Sequence, residues 1–491
     1  MAEYQLFDET NGYRYSYCRL RLLVALYVLT TIAVFAYWNA FYTHPLVYPP
    51  NLSDVPEWWY KRAFYYANNI HETTNISHDF RIYQLNHFKN SSSKNSLHYD
   101  VRDPAEYDEN IYQPKETTAV KRLVCYYTVP TPLKQMDALR LSGVDGYLCT
   151  HINIGIADVQ NNSIILTDDL RAALNESHSL RSKNPNIKIL LWVGGADSNG
   201  FVEMVRNHAN RKIFIQSLKK ILSNHSLDGV DLDWEFPTAY NRERQHFSQL
   251  LREIRQEYIR EKKNYLLTVA LAAAEGIALF AYDAREINLY ADFANIMTYD
   301  YHFYARSTPF TGLNAPLFAR YKEHSVLGTL NINYSVNFWL RSGLDRQKLV
   351  VGLPTYGHSF TLVNPFNNGI ESPSSGIGGV GSMGFASFSE ICWFKQNNVF
   401  LTTVFDEVTC SPYIYGGTEW ISFENEKSVA CKTKYITEND LGGAMIFSLN
   451  TDDYGGFCDP NMEPSDQSSI KGNNLKFPLV QTVKAVLFDG K

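Results

Sequence analysis

The sequence predicts an α/β chain: a (β/α)8 TIM barrel with an inserted small α+β subdomain, preceded by a transmembrane helix and a stem. Three observations predict it. After residue 119, short β-branched apolar runs alternate with helical stretches, the order that builds a parallel sheet from βα units. Near the N-terminus lies an uncharged apolar run of membrane-spanning length. Between residues 356 and 439 the chain is far longer than an ordinary βα connection, and a stretch of that size carries structure of its own.

The N-terminal run covers residues 22–41 and contains no charged side chain. A helix needs about 20 such residues to cross a hydrocarbon core. Arg14, Arg19 and Arg21 precede it, so the positive-inside rule makes residues 1–21 a cytoplasmic tail and sends the rest across as a type II protein. A cleaved signal peptide, releasing a secreted chain, is the alternative. The run exceeds a typical signal-peptide core and ends in Tyr37-Trp38-Asn39 without a small-x-small site, which favours the anchor. Residues 42–118 show no sustained periodicity and hold a Ser/Asn/Lys tract, as a lumenal or extracellular stem would.

Residues 119–491 form the expected catalytic domain. Its candidate strands are residues 122–127, 150–156, 188–193, 229–234, 266–271, 293–299, 349–354 and 443–449, and eight parallel strands suggest closure. Helical candidates between them include residues 211–223 and 242–262, whose apolar side chains recur at three- and four-residue spacing. The approximate insertion at 356–439 belongs at the C-terminal face of the barrel, where it can wall a cleft.

A formal net charge of -6 offers no broad basic surface, so nucleic acid is excluded as the expected partner. Of seven cysteines, Cys18 borders the apolar run and six remain: Cys125, Cys149, Cys392, Cys410, Cys431 and Cys458. None is spaced as CxxC, and no histidine pair forms HExxH, so neither a metal nor another cofactor is expected. Seven N-x-S/T sequons, at Asn51, Asn75, Asn90, Asn161, Asn175, Asn224 and Asn333, all follow the apolar run and point to an oxidising, glycosylating compartment. Oligomeric state has no signature in the chain.

The most informative stretch is Asp228-Gly229-Val230-Asp231-Leu232-Asp233-Trp234-Glu235. In a strand, alternate residues share a face, so Asp231, Asp233 and Glu235 line one side at spacings of roughly 6.6 Å. Crowding like charges into a barrel mouth pushes their proton affinities apart, and one carboxyl can then stay protonated for general acid catalysis. Asp228 falls on the other phase, where a structural hydrogen-bonding role is expected.

This segment matches the DxxDxDxE signature of family 18 glycoside hydrolases, and Phe236-Pro237 continues it as in animal chitinases. The resemblance extends through Leu123 to Thr128, Cys149-Thr150-His151, Gly194-Gly195, Met297 to Asp300, Pro354 to Phe360 and Gly442 to Met445. It implies a chitinase that hydrolyses β-1,4 links of chitin or N-acetylglucosamine oligosaccharides by substrate-assisted retaining catalysis. Glu235 would be the acid and base, Asp233 would orient the acetamido group, Asp231 would share a proton with Asp233, and Tyr299 would hydrogen-bond the acetamido oxygen. Tyr126, Met297, Asp300, Tyr356 and Phe447 would shape the substrate pocket. It also implies Cys125–Cys149 and Cys392–Cys458 disulfides; counting then leaves Cys410 with Cys431.

The sequence departs from the family at the sugar platforms. Phe447 stands where the family has a floor Trp, Ala196 and Pro130 where it commonly has others, Ile156 replaces a Phe and Asn450 an Asp. Each lost aromatic contact is worth about 1 kcal/mol, so long polymers should bind weakly. Trp192 occupies a small-residue position two before Gly194 and is expected to press on the neighbourhood of Asp231. A chitinase-like lectin or signalling protein that binds chitooligosaccharides with little turnover is therefore the alternative. An enzyme cleaving the chitobiose core of N-glycans is a third reading, disfavoured by the animal-chitinase form of Pro354 to Phe360.

Overall fold

The computed structural model describes residues 121–130, 139–196, 199–459 and 475–490. The expected tail, apolar span and stem lie outside the described residues. Among the described residues, no helix is long and apolar enough to cross a membrane.

The strands are β1 (Arg122–Thr128), β2 (His151–Gln160), β3 (Ser163–Ile165), β4 (Lys188–Gly195), β5 (Gly229–Trp234), β6 (Leu266–Ala272), β7 (Phe293–Met297), β8 (Leu349–Pro354), β9 (Tyr356–Leu362), β10 (Ser374–Ile377), β11 (Phe385–Ser387), β12 (Thr402–Asp406), β13 (Ser411–Gly416), β14 (Glu419–Ser422) and β15 (Gly443–Phe447). β1, β2, β4, β5, β6, β7, β8 and β15 pair in parallel in the order β1-β15-β8-β7-β6-β5-β4-β2, and a further parallel β1–β2 pairing closes the barrel. β3 adds a short hairpin to β2. All eight strands expected from the sequence are present. Two end early: Thr298 and Tyr299 donate back to Ile296 and Met297, stopping β7, and a tight turn at Leu449–Thr451 follows Phe447.

The helices are α1 (Asp168–Glu176), α2 (His178–Lys183), α3 (Gly200–Val205), α4 (His208–Asn224), α5 (Glu243–Arg260), α6 (Glu275–Ala281), α7 (Ala284–Tyr290), α8 (Ile332–Arg341), α9 (Phe388–Asn397), α10 (Glu426–Glu438) and α11 (Pro478–Lys484). Their polar starts are set by local chemistry. Thr167, Asn207, Asp283 and Asn331 cap α1, α4, α7 and α8 by accepting from first-turn N–H groups, each cap contributing about 1 kcal/mol. In α4 the buried positions Arg211, Phe214, Ile215, Leu218 and Leu222 follow the helical period; Arg211 is buried because it grips Glu253 of α5 at 2.6 and 3.0 Å.

β9 to β14 make a second, antiparallel sheet, ordered β10-β9-β14-β13-β12 with β11 on β9. It is wrapped on its own small core of Leu313, Phe360, Leu362 and Trp420. β9 begins directly after β8, which places this sheet at the C-terminal mouth of the barrel. α10, within the span expected as insertion, packs on β15 and α11 and so belongs to the barrel's outer layer. Three disulfides join these parts: Cys125–Cys149 links β1 to the entry of β2, Cys392–Cys458 links α9 to the segment after β15, and Cys410–Cys431 links the second sheet to α10. Beside the last lies a fully buried ion pair, Lys432 Nζ to Glu424 Oε1 at 2.5 Å, with Ser428 donating to the other Glu424 oxygen.

Candidate active site

Alternation along β5 turns Asp231 and Asp233 into the barrel, and the chain delivers Glu235 at the strand's end. Their exposures are 0%, 2% and 7%, so the acids become slightly more accessible towards the rim. Asp231 is anchored by side chains from three other strands. It accepts from Tyr126 at 2.6 Å, from Thr268 at 2.5 Å and from Asn295 at 3.0 Å, groups contributed by β1, β6 and β7. Burial pushes the Asp231 carboxyl up, and these three donors oppose the shift. Tyr126 also accepts from Asn295 at 3.2 Å. Burial and the neighbouring Asp231 and Asp233 push its phenol well above the ordinary value, so it remains a proton donor.

Asp228 plays the expected structural part on the other strand face. It accepts from Arg181 at 2.7 Å and from the Ile189 N–H at 2.8 Å, tying β5 to α2 and β4.

Trp192 lies opposite Asp231 in the β4–β5 register. Its Nε1 nevertheless reaches past that residue and donates to Asp233 Oδ2 at 2.9 Å. The indole packs edge-on against Tyr126, with centroids 5.0 Å apart, and against Phe447 at 5.8 Å. Phe447 in turn contacts Tyr126 and Tyr299, both at 5.6 Å. Peptides 235–236 and 447–448 at this rim, and 155–156 in β2, are cis.

The opposite wall is built by the turn after β7 and by the second sheet. Asp300 sits at a positive φ of 58°, which turns its side chain out of the strand path. Its Oδ1 accepts from Tyr356 at 2.5 Å and contacts His358 Nε2 at 2.8 Å. Asn314 fixes this corner by accepting from the Asp300 N–H at 2.9 Å and donating to the Tyr356 carbonyl at 3.1 Å. Tyr356 stacks on Phe385 at 4.3 Å and meets Tyr299 edge-on at 6.0 Å.

The structure thus gathers Tyr126, Asp231, Asp233, Tyr299, Asp300, Tyr356 and Phe447 into one connected cluster, with Glu235 and Met297 at the ends of β5 and β7 beside it. Thr268, Asn295, Asn314, His358 and Phe385 were not singled out from sequence. Two of them had a signal: Asn295 lies two residues before Met297 on the same strand face, and Thr268 falls opposite Asp231 once the strands are aligned. Among the described residues, no group of three or more His, Cys, Asp or Glu side chains could hold a metal ion.

Residues 122–452 match the family model described as Glycosyl hydrolases family 18. The chain is 33% identical over 384 residues to Chitotriosidase-1 of Mus musculus, covering 74% of this chain and 78% of that one. Among solved structures, human YKL-39, described as a pseudo-chitinase with retained chitooligosaccharide binding properties, superposes with a TM-score of 0.68 at 30% identity, covering 75% of this chain and all (100%) of that one. The Ostrinia furnacalis Group IV chitinase, solved in complex with allosamidin, gives a TM-score of 0.68 at 31% identity, covering 76% of this chain and 100% of that one.

Proposed function

Because the chain belongs to the glycosyl hydrolases family 18, we propose that it hydrolyses β-1,4 links between N-acetylglucosamine units, with Glu235 as acid and base. The observation that carries this reading is the stacked series of Asp231, Asp233 and Glu235, with Asp231 held by three donors. In the first step the Glu235 carboxyl gives its proton to the leaving glycosidic oxygen as the C1–O bond breaks. The carbonyl oxygen of the substrate's acetamido group closes on C1, so the protein supplies no nucleophile. Asp233 accepts the acetamido N–H and balances the positive oxazolinium; Tyr299 donates to the attacking oxygen. Water then opens the ring at C1, gives a proton to the Glu235 carboxylate, and restores the resting enzyme with retained configuration.

Asp231 and its donors form the base of the charge network, so a proton shared between Asp231 and Asp233 belongs to the pair. Tyr126, Met297, Asp300, Tyr356 and Phe447 make the pocket for the reacting sugar. The second reading, a lectin with little turnover, is favoured by Phe447 in place of a larger platform and by the likeness to a pseudo-chitinase. Incubating the protein with N-acetylchitotetraose and following anomers by proton NMR separates them. New β-anomer reducing ends support hydrolysis with retention; binding without new reducing ends supports the lectin.

We further propose that residues 22–41 anchor the protein as a type II membrane protein with the barrel lumenal or extracellular. Three disulfides and the sequons downstream of that run support this side of the membrane. Protection of the barrel from protease in sealed vesicles, lost on adding detergent, is the expected result; digestion of the barrel in vesicles sealed cytoplasmic side out would refute it.

A further inference from the structure

Trp192 is wholly buried, and its indole nitrogen is a donor with no acceptor capacity. Buried donors need a partner, and two other buried indoles use backbone carbonyls: Trp339 Nε1 donates to Ala272 and Trp420 Nε1 to Asn368, both at 3.1 Å. Trp192 instead donates to a carboxylate oxygen of Asp233, at 2.9 Å. The ring has room because residue 155 is glycine: a Cβ there would stand 2.8 Å from indole Cε3 and 2.9 Å from Cδ2. Tyr126 and Phe447 then hold the ring edge-on from two further strands. One rigid side chain therefore touches the carboxylate of Asp233, the phenol ring that serves Asp231, and the aromatic floor.

The geometry points to Trp192 as a positioning residue that holds Asp233 as an oriented anion and couples it to the Phe447 floor. This rests on the reading of Asp233 as the group that meets the substrate's acetamido N–H. Because the indole can only donate, Oδ2 faces it without a proton, and a proton shared within the pair sits on Asp231 or on the other Asp233 oxygen. A charge-assisted hydrogen bond of this kind favours the ionised form and fixes one carboxylate rotamer. Tyr126, Asp231, Glu235 and Tyr299 are the titratable groups placed around Asp233 from β1, β5 and the end of β7.

The test compares full-length wild-type and Trp192→Phe protein, solubilised in detergent, with a fluorogenic chitooligosaccharide from pH 4 to 9. Phe keeps an aromatic ring and removes the N–H. Loss of the donor makes Asp233 harder to ionise, so the acid limb of kcat should move up by about one pH unit, about a tenfold loss on that limb. KM should change less than twofold. Superimposable pH profiles would overturn the assignment, whatever happens to stability.

A second measurement on wild type covers a variant that fails to fold. The indole resonances of 15N-tryptophan-labelled protein should include one solvent-protected N–H that titrates with the acid series and shifts on adding N-acetylchitotetraose. No such resonance would also overturn it. If wild type shows no turnover but this indole titrates and responds to the sugar, Trp192 keeps its role and the hydrolase reading falls. Turnover with an unresponsive indole and an unshifted Trp192→Phe profile would leave the hydrolase standing and remove the role of Trp192.

Discussion

Replacing Tyr126 with Phe removes one of three donors that, among the described residues, hold the buried Asp231 carboxyl, while leaving the ring that packs on Trp192 and Phe447. The lost bond is short, 2.6 Å, and reaches a group with no exposure. A hydrogen bond to a charged group contributes roughly 1.5–3 kcal/mol, which is about one to two units of proton affinity. Burial already raises the Asp231 pKa, and Tyr126 works against that rise, so the variant's folded pKa should climb further. An acid whose folded pKa is raised holds its proton longer in the folded state than in the unfolded one. Stability therefore declines as pH rises towards the folded pKa. The variant declines over a wider range, so its deficit against wild type should be small at pH 4 and reach about 1.5–3 kcal/mol once Asp231 is ionised in both proteins. Urea unfolding followed by tryptophan fluorescence at pH 4, 6 and 8 measures this difference. A deficit that is the same at all three values would mean that Tyr126 acts by packing alone and would refute the electrostatic account of Asp231.

Gly155→Ala should force its new methyl against the Trp192 ring, which has no flexible end to yield, and cost about 1–3 kcal/mol, read from chemical denaturation; an unchanged midpoint would show that the ring is free to shift. Lys432→Met leaves Glu424 buried without its cation and should cost about 3–5 kcal/mol at neutral pH. Burial raises the Glu424 pKa and Lys432 opposes it, so the loss should shrink in acid as Glu424 takes up a proton; a loss independent of pH would argue for packing instead.

The barrel was legible because its signal is repeated: each strand is an apolar β-branched run, and closure needs only their number and order. The acids were legible because three carboxylates at period two have few structural explanations. What stayed hidden depends on register between distant segments. Thr268 gains meaning only when β6 is set beside β5, and His358 only when the second sheet brings it to Asp300. Trp192 was expected to act near Asp231, which it faces in register, yet the length of an indole carries its N–H to Asp233. The ends of β7 and β15 were overrun because Tyr299 and Leu449 continue the apolar pattern after the ladder has stopped. Asp300's positive φ has no sequence mark, since aspartate is not a residue that requires it.

The central claim, that Glu235 moves the proton in glycoside hydrolysis, is tested most directly by comparing wild-type and Glu235→Gln protein on N-acetylchitotetraose, with turnover and sugar affinity measured on the same preparations. The account predicts wild-type turnover, a loss of at least about a hundredfold in the variant, and affinity kept within a few fold. Equal turnover in both proteins, or sugar binding by wild type with no turnover from pH 4 to 9, would contradict it.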